Sequence, residues 1–284
     1  MKTVFLSNGK AVPALGLGTW HMGEAARSKA AEIAAVRSAI ELGYRLFDTA
    51  EMYGEGGAET VLGVAVNDAL RAGEVSREQL CIVSKVYPHN ASRTGTVAAC
   101  ERSLERLGLD YINLYLLHWP GSHPLADTVA AFESLRAQGR IRDWGVSNFD
   151  TDEMAALWAL KQGSACAANQ VYYSMAKRGI EFDLLPWQRE HKLPTMAYCP
   201  IDQGTLAKSA ALRPLAEALH ATPAQVALAW LVSRGDVIAI PKAVQAQHLR
   251  DNFAAASLEL DASALETIDK LFPPPRRKVA LAMS

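Results

Sequence analysis

"YRLFDTAEMYG", residues 44–54, joins a mostly apolar run to a polar turn at a single aspartate, and a tyrosine follows that aspartate five residues later. By itself it is an ordinary turn: Asp48 opens it, and Gly54, Gly56 and Gly57 loosen it. The same sequence of apolar run, polar turn and helical pattern recurs along the chain. Strand-like runs stand at "PALGLG" (13–18), "YRLFD" (44–48), "LCIVSK" (80–85), "INLYLLH" (112–118), "IRDWGVS" (141–147), "AANQV" (167–171), "PTMAYC" (194–199) and "DVIAIPK" (236–242). Several are almost continuously apolar, which suits strands buried on both faces of a parallel sheet. Every gap between them has room for a loop, a helix and the next strand, as parallel crossovers require. Eight such units in one chain of 284 residues point to an α/β fold, the (β/α)₈ TIM barrel, with residues 1–284 forming a single domain.

Helix signals fill the gaps. Val97, Cys100, Leu104 and Leu107 keep helical spacing, with Glu101, Arg102, Glu105 and Arg106 largely off that stripe. Asp150 with Glu153, and Ser263 with Glu266, have the spacing of capping boxes, and Thr222 before Pro223 is a good helix start. Asn8-Gly9 inside "VFLSNGKAVPAL" is a hairpin-turn signal, so a small β-hairpin should precede the barrel.

Composition narrows the partners. Half the residues are hydrophobic and 21% are charged, enough to bury a sizeable core. A net charge of -1 argues against nucleic acid or an anionic membrane surface, so any anionic ligand must be held by local positive groups. No apolar stretch approaches a membrane span, and the run in "MKTVFLSNGK" is too short for a signal peptide. Cys81, Cys100, Cys166 and Cys199 form no CxxC and suit reduced thiols in a cytoplasm. The reading is a cytoplasmic monomer or weak oligomer acting on a small molecule.

Barrel enzymes work at the C-terminal ends of their strands, and consecutive strand ends here carry Asp48 (with Tyr53 in its loop), Lys85 and His118. Lys85 alone could snorkel to the rim, and His118 alone could be a packed barrel histidine. Together the four form a proton-delivery device. A free phenol titrates near pH 10 and is a poor acid at neutrality. An ammonium about 4 Å away would favour the phenolate by up to ~4 kcal/mol at an effective dielectric of about 20, lowering the phenol's pKa by at most roughly three units. Asp48 would hold Lys85 charged and offset part of that effect. His118 could orient a carbonyl oxygen beside Tyr53 while something else attacks the carbon.

At this point the chain resembles the aldo-keto reductase superfamily. The resemblance rests on "GLGTW" (16–20), "GYRLFDTAEMYG" (43–54), "SKVYP" (84–88), "LYLLHWP" (114–120), "GVSNF" (145–149), "NQV" (169–171), "AYCP" (197–200) and "IPKA" (240–243), in order over essentially the whole chain. It implies a barrel that reduces aldehydes and ketones with NADP(H), with NAD(H) use possible, and a catalytic tetrad of Asp48, Tyr53, Lys85 and His118 with Tyr53 as general acid. It further implies cofactor contacts at Ser147, Asn148 and Gln170 for the nicotinamide carboxamide, and at Tyr198 for stacking on the ring. Gly18, Thr19, Trp20, Asp48, Cys199, Ile201 and Gln203 complete that part of the cofactor site. "IPKAVQAQHLRDN" (240–252) matches the loop for the adenosine 2′-phosphate, with Lys242, Ala243, Val244, His248, Asp251 and Asn252. Strongly NADP-selective members usually have arginine where this chain has His248, and often a hydroxyl residue at Ala243; arginine offers a permanent bidentate charge that histidine does not. No metal is implied.

"EMYG", "SKVYP" and "FPPPRRKVALAM" look most like bacterial reductases of methylglyoxal and similar small carbonyls, with Trp20, Tyr87 and Trp119 walling the substrate pocket and the C-terminal tail near the mouth. "GLGTWH" lacks the third glycine of a dinucleotide fingerprint. Two rivals remain: a Schiff-base aldolase using Lys85, which would not need Tyr53, and a nucleotide-binding regulatory subunit with a vestigial tetrad.

Overall fold

The computed structural model describes residues 2–24 and 29–284. Two short strands, β1 (Thr3–Phe5) and β2 (Ala11–Pro13), pair antiparallel through the turn at Gly9, whose φ of 82° favours glycine. This is the expected hairpin. Ser7 Oγ donates to the carbonyl of Cys166 at 2.7 Å, and Asn8 Nδ2 donates to Asp143 Oδ1 at 2.5 Å. The hairpin therefore covers the end of the barrel where the strands begin, leaving the other end for chemistry.

The barrel strands are β3 (Leu17–Gly18), β4 (Leu46–Asp48), β5 (Cys81–Val86), β6 (Ile112–Leu117), β7 (Ile141–Ser147), β8 (Asn169–Tyr172), β9 (Thr195–Tyr198) and β10 (Val237–Ala239). They pair in sequence order, every neighbour parallel. Parallel bridges from Leu15 to Ala239 and from Gly18 to Lys242 close the sheet on itself. Closure needs small residues, since a Cβ on Gly18 would lie 2.9 Å from the carbonyl oxygen of Ile240. β6 is buried at every position, as a barrel strand packed on both faces must be.

Helices α1 (Lys29–Leu42), α2 (Gly57–Arg71), α3 (Arg93–Leu107), α4 (Leu125–Ala137), α5 (Thr151–Trp158) and α6 (Leu184–Glu190) follow strands β3 to β8 in turn. Helices α7 (Arg213–Ala218) and α8 (Pro223–Val232) follow β9, while α9 (Ala246–Ala255) and α10 (Ala262–Leu271) follow β10. On α3, Cys100, Leu104 and Leu107 are buried as the spacing indicates, and Val97 is half-buried. The capping box at Asp150–Glu153 is present, and Thr222 caps α8 with Gln225 completing its box. The expected box at Ser263–Glu266 is corrected. Asp261 caps α10 instead, accepting from the backbone N–H of Ala264 at 2.7 Å, which places Ser263 inside the first turn; Glu266 pairs with Lys270 at 2.7 Å. A carboxylate two residues upstream is the stronger N-cap and sets the start.

Among the described residues no helix is long and apolar enough to cross a membrane.

Candidate active site

Asp48 is the last residue of β4, Lys85 lies one residue before the end of β5, and His118 directly follows β6. Parallel strands bring all three to one mouth. Tyr53 reaches them from the β4–α2 loop, where Gly54, Glu55 and Gly56 all have positive φ (57°, 52° and 88°) and turn the chain sharply. A Cβ on Gly54 would stand 2.9 Å from the carbonyl oxygen of Met22, so the loop also lies tight against the β3–α1 segment.

Lys85, with no exposed side chain, donates from Nζ to Asp48 Oδ2 at 2.7 Å, to the carbonyl of Thr49 at 2.8 Å and to Tyr53 Oη at 3.2 Å. The other Asp48 oxygen accepts from Gln170 Nε2 at 2.7 Å. The rings of Tyr53 and His118 meet edge-on with centroids 5.6 Å apart. These bonds leave Lys85 no free direction from which to attack a carbonyl, which speaks against a Schiff-base role.

The electrostatics correct one expectation. Withdrawal from water, then the nearby Asp48 carboxylate, hold the Tyr53 hydroxyl well above the usual phenol range rather than below it. Lys85 sits within hydrogen-bond reach, but Asp48 neutralises much of its field, and desolvation of a phenolate outweighs the remainder. Burial also lowers the Lys85 ammonium, against the opposing pull of Asp48. Burial, with Lys85 as the second cause, drives His118 well below its ordinary value. The resting site thus holds a protonated phenol beside a neutral imidazole, and His118 Nδ1 finds no hydrogen-bond partner among the described residues.

A cavity of about 960 Å³ opens from this cluster. Tyr53, His118, Trp20 and Trp119 line it together with Asp48 and Gly18. Ser147, Asn148, Gln170, Tyr198 and Cys199 also line it, as do Ile201, Gln203, Lys242, His248, Asp251 and Asn252, with Lys242 beside Gly18 through the bridge that closes the sheet. The Tyr198 ring is fixed by its hydroxyl donating to Asn148 Oδ1 at 2.8 Å, while Asn148 Nδ2 donates to the carbonyl of His118 at 3.0 Å. Thr19 stands behind the wall, its hydroxyl donating to the Asp48 carbonyl at 3.0 Å. Lys85, Tyr87, Ala243 and Val244 likewise do not form the lining itself. Tyr87 packs edge-on against Trp119, centroids 5.0 Å apart, and so backs that part of the cavity wall.

Sequence reasoning missed several contributors to the cavity: His21, Met52, Lys208 and Thr222, and Met283 and Ser284 at the end of the tail. Lys208 carries no motif, and Thr222 was legible only as the cap of α8. The tail's approach to the mouth was expected from its resemblance, but which residues arrive there depends on its path: Lys278 is held by Asp150 at 3.3 Å and Asp183 at 2.8 Å, and Val279 lies over Gly179.

The cavity offers an aromatic platform at Tyr198, carboxamides at Asn148 and Gln170, and lysines at 208 and 242. Such a groove suits a long ligand with a flat amide-bearing ring at one end and anionic groups at the other. Fold and site together define a TIM-barrel enzyme with an acid–base cluster at its mouth. Residues 14–272 match the Aldo/keto reductase family, and the chain belongs to that family of oxidoreductases. It is 47% identical over 287 residues to the methylglyoxal reductase YeaE of Escherichia coli (strain K12), covering 99% of each protein. Over 270 residues it is 35% identical to the glyoxal reductase of Bacillus subtilis (strain 168), covering 95% of this chain and 92% of that protein. A crystal structure of an aldo-keto reductase from Klebsiella pneumoniae in complex with NADPH superimposes with a TM-score of 0.92 at 48% identity, covering 100% of this chain and 99% of that one.

Proposed function

We propose that the protein reduces small carbonyls such as methylglyoxal to alcohols, with NADP(H) as cofactor and NAD(H) also accepted, and with Tyr53 as general acid. The observation that carries this reading is Lys85 Nζ placed between Asp48 Oδ2 and Tyr53 Oη at 2.7 and 3.2 Å, beside a neutral His118. When bound, the cofactor supplies the hydride that adds to the carbonyl carbon. The chain's part is the proton and the geometry. The neutral imidazole of His118 directs the carbonyl oxygen towards Tyr53. The Tyr53 hydroxyl gives up its proton as negative charge builds on that oxygen. Lys85, already bonded to Tyr53 Oη, stabilises the phenolate left behind, and Asp48 keeps Lys85 charged. Tyr53 serves as an acid because its raised pKa keeps it protonated at neutral pH.

The groove fits the cofactor's chemistry: Tyr198 for the ring, Ser147, Asn148 and Gln170 for its carboxamide, Lys242 with His248 for the 2′-phosphate. A histidine at 248 gives weaker preference for the phosphate than arginine would. The same reading takes residues 1–284 as one barrel domain, the protein as a monomer or weak oligomer and, with four free thiols, its setting as cytoplasmic. The substrate size rests on the relatives named for methylglyoxal and glyoxal and on the aromatic wall of Trp20 and Trp119 backed by Tyr87.

The test compares kcat/KM for methylglyoxal, a benzaldehyde, a linear aldehyde and a ketosteroid by NADPH oxidation. Methylglyoxal is expected to lead, since the adjacent carbonyl makes its carbon more electrophilic. A steroid leading tenfold, about 1.4 kcal/mol of transition-state preference, would sink the small-substrate reading and leave the reductase intact.

A further inference from the structure

The residue two positions before Tyr53 has no role in the scheme above, yet it is the most heavily engaged carboxylate at the substrate end. Glu51, its side chain only 8% exposed, reaches from the β4–α2 loop to the loop after β5. Its Oε1 accepts from the backbone N–H of Tyr87 at 2.6 Å and from Asn90 Nδ2 at 3.0 Å. Its other oxygen faces Arg102 at 3.5 Å, whose side chain is about half exposed. One carboxylate oxygen therefore ties the loop that carries the acid to the loop that carries the substrate wall.

That tie closes a circuit. Tyr87 packs on Trp119 at 5.0 Å between centroids, Trp119 on His118 at 4.8 Å, and His118 on Tyr53 at 5.6 Å. Glu51 then returns the path from Tyr87 to the Tyr53 loop. The loop's other ties, Lys85 Nζ to the Thr49 carbonyl at 2.8 Å and to Tyr53 Oη at 3.2 Å and the Glu51 N–H donating to the Lys85 carbonyl at 3.4 Å, end on β5 itself; the Glu51 carboxylate is what links it to the loop beyond, at Tyr87 and Asn90.

We infer that Glu51 is a positioning residue for the reduction: its carboxylate fixes Tyr53 and the Tyr87–Trp119 wall at one mutual spacing. The inference rests on the proposed role of Tyr53. A misplacement of about 1 Å in a reacting group can lower a rate on the order of a hundredfold, so a loose tie should act on the chemical step and leave cofactor binding nearly unchanged, since neither Glu51 nor Tyr87 lines the cavity.

The experiment compares Glu51→Ala, Glu51→Asp and Glu51→Gln in the full-length protein, with Arg102→Ala as control. For Glu51→Ala and the shorter Glu51→Asp, kcat on methylglyoxal should fall about tenfold to a hundredfold. The deuterium isotope effect with labelled NADPH should rise as chemistry becomes more limiting, with the Kd for NADPH within twofold of wild type. Glu51→Gln keeps an oxygen that can accept from Tyr87 and should recover most of the rate; Arg102→Ala should change little. Glu51→Asp is the variant that decides if Glu51→Ala folds poorly. A folded Glu51→Asp within twofold of wild-type kcat, or a Glu51→Gln as slow as Glu51→Ala, overturns the inference. Wild-type protein that fails to oxidise NADPH with methylglyoxal, or a Tyr53→Phe variant that keeps more than about a tenth of the rate, overturns the reading beneath it instead, so the two failures are distinguishable.

Discussion

His118 shows how much a residue's neighbours decide. From sequence it was one imidazole at a strand end, equally able to carry a charge or not. In the structure it is 6% exposed, and burial, helped by Lys85, holds it neutral well below the ordinary histidine range. This has a consequence for stability. The unfolded chain binds a proton on this side chain near pH 6.5, whereas the folded chain does so only at much lower pH. Between those values the unfolded state carries more protons, so stability falls as pH falls, by at most about 1.36 kcal/mol per pH unit from this group. Chemical denaturation from pH 7 down to pH 5 should therefore give a shallower loss for His118→Gln than for wild type. Parallel slopes would mean that the imidazole takes up its proton as readily in the folded protein as in the unfolded chain. Tyr53 teaches the same lesson from the other direction: its type and place were legible from "FDTAEMYG", but the sign of its shift was not, because that sign depends on how far water is excluded and how much Asp48 offsets Lys85.

At the scale of elements, the strands were readable because a parallel barrel requires both faces apolar, and β6 and β7 emerged with the expected starts. Short strands were blurred. The run 13–18 splits between the end of the hairpin at Pro13 and the two-residue β3, since alternation cannot tell a pairing partner on one sheet from a partner on another. Ser263 and Glu266 misled for a related reason: a capping spacing involves only two residues, and Asp261, two positions upstream, competes for the same helix start and takes it. Helix packing supplies a sharper case. Gly63 sits inside α2, where helix propensity alone favours alanine by about 1 kcal/mol. Here a Cβ would lie 2.6 Å from the carbonyl oxygen of Leu107 and 2.7 Å from that of Arg106, at the end of α3. Backbone cannot yield as a side chain can, and overpacking of this kind costs about 1–3 kcal/mol. Gly63→Ala should thus lower the midpoint of thermal unfolding; a raised midpoint would show that α2 and α3 can separate without penalty.

Over the whole molecule, the ordered motifs were enough to give the barrel, because each lies at a strand end and the strands pair in sequence order. What the sequence concealed was the exact route by which distant segments reach the mouth. Met283 and Ser284 line the same cavity as Tyr53 although more than two hundred residues separate them, and Lys208 enters from the segment after β9 with no signature at all. The central claim is that this assembly exists to hold one phenol as proton donor to a carbonyl. Its most direct test is a single turnover in which the NADPH-loaded protein is mixed with methylglyoxal and the nicotinamide absorbance is followed, for wild type and for Tyr53→Phe. General acid catalysis contributes about 10² to 10⁴ in rate, so Tyr53→Phe should lose at least about a hundredfold while its Kd for NADPH stays within a few-fold. A variant that kept more than about a tenth of the wild-type rate would contradict the account, for the proton would then come from somewhere else.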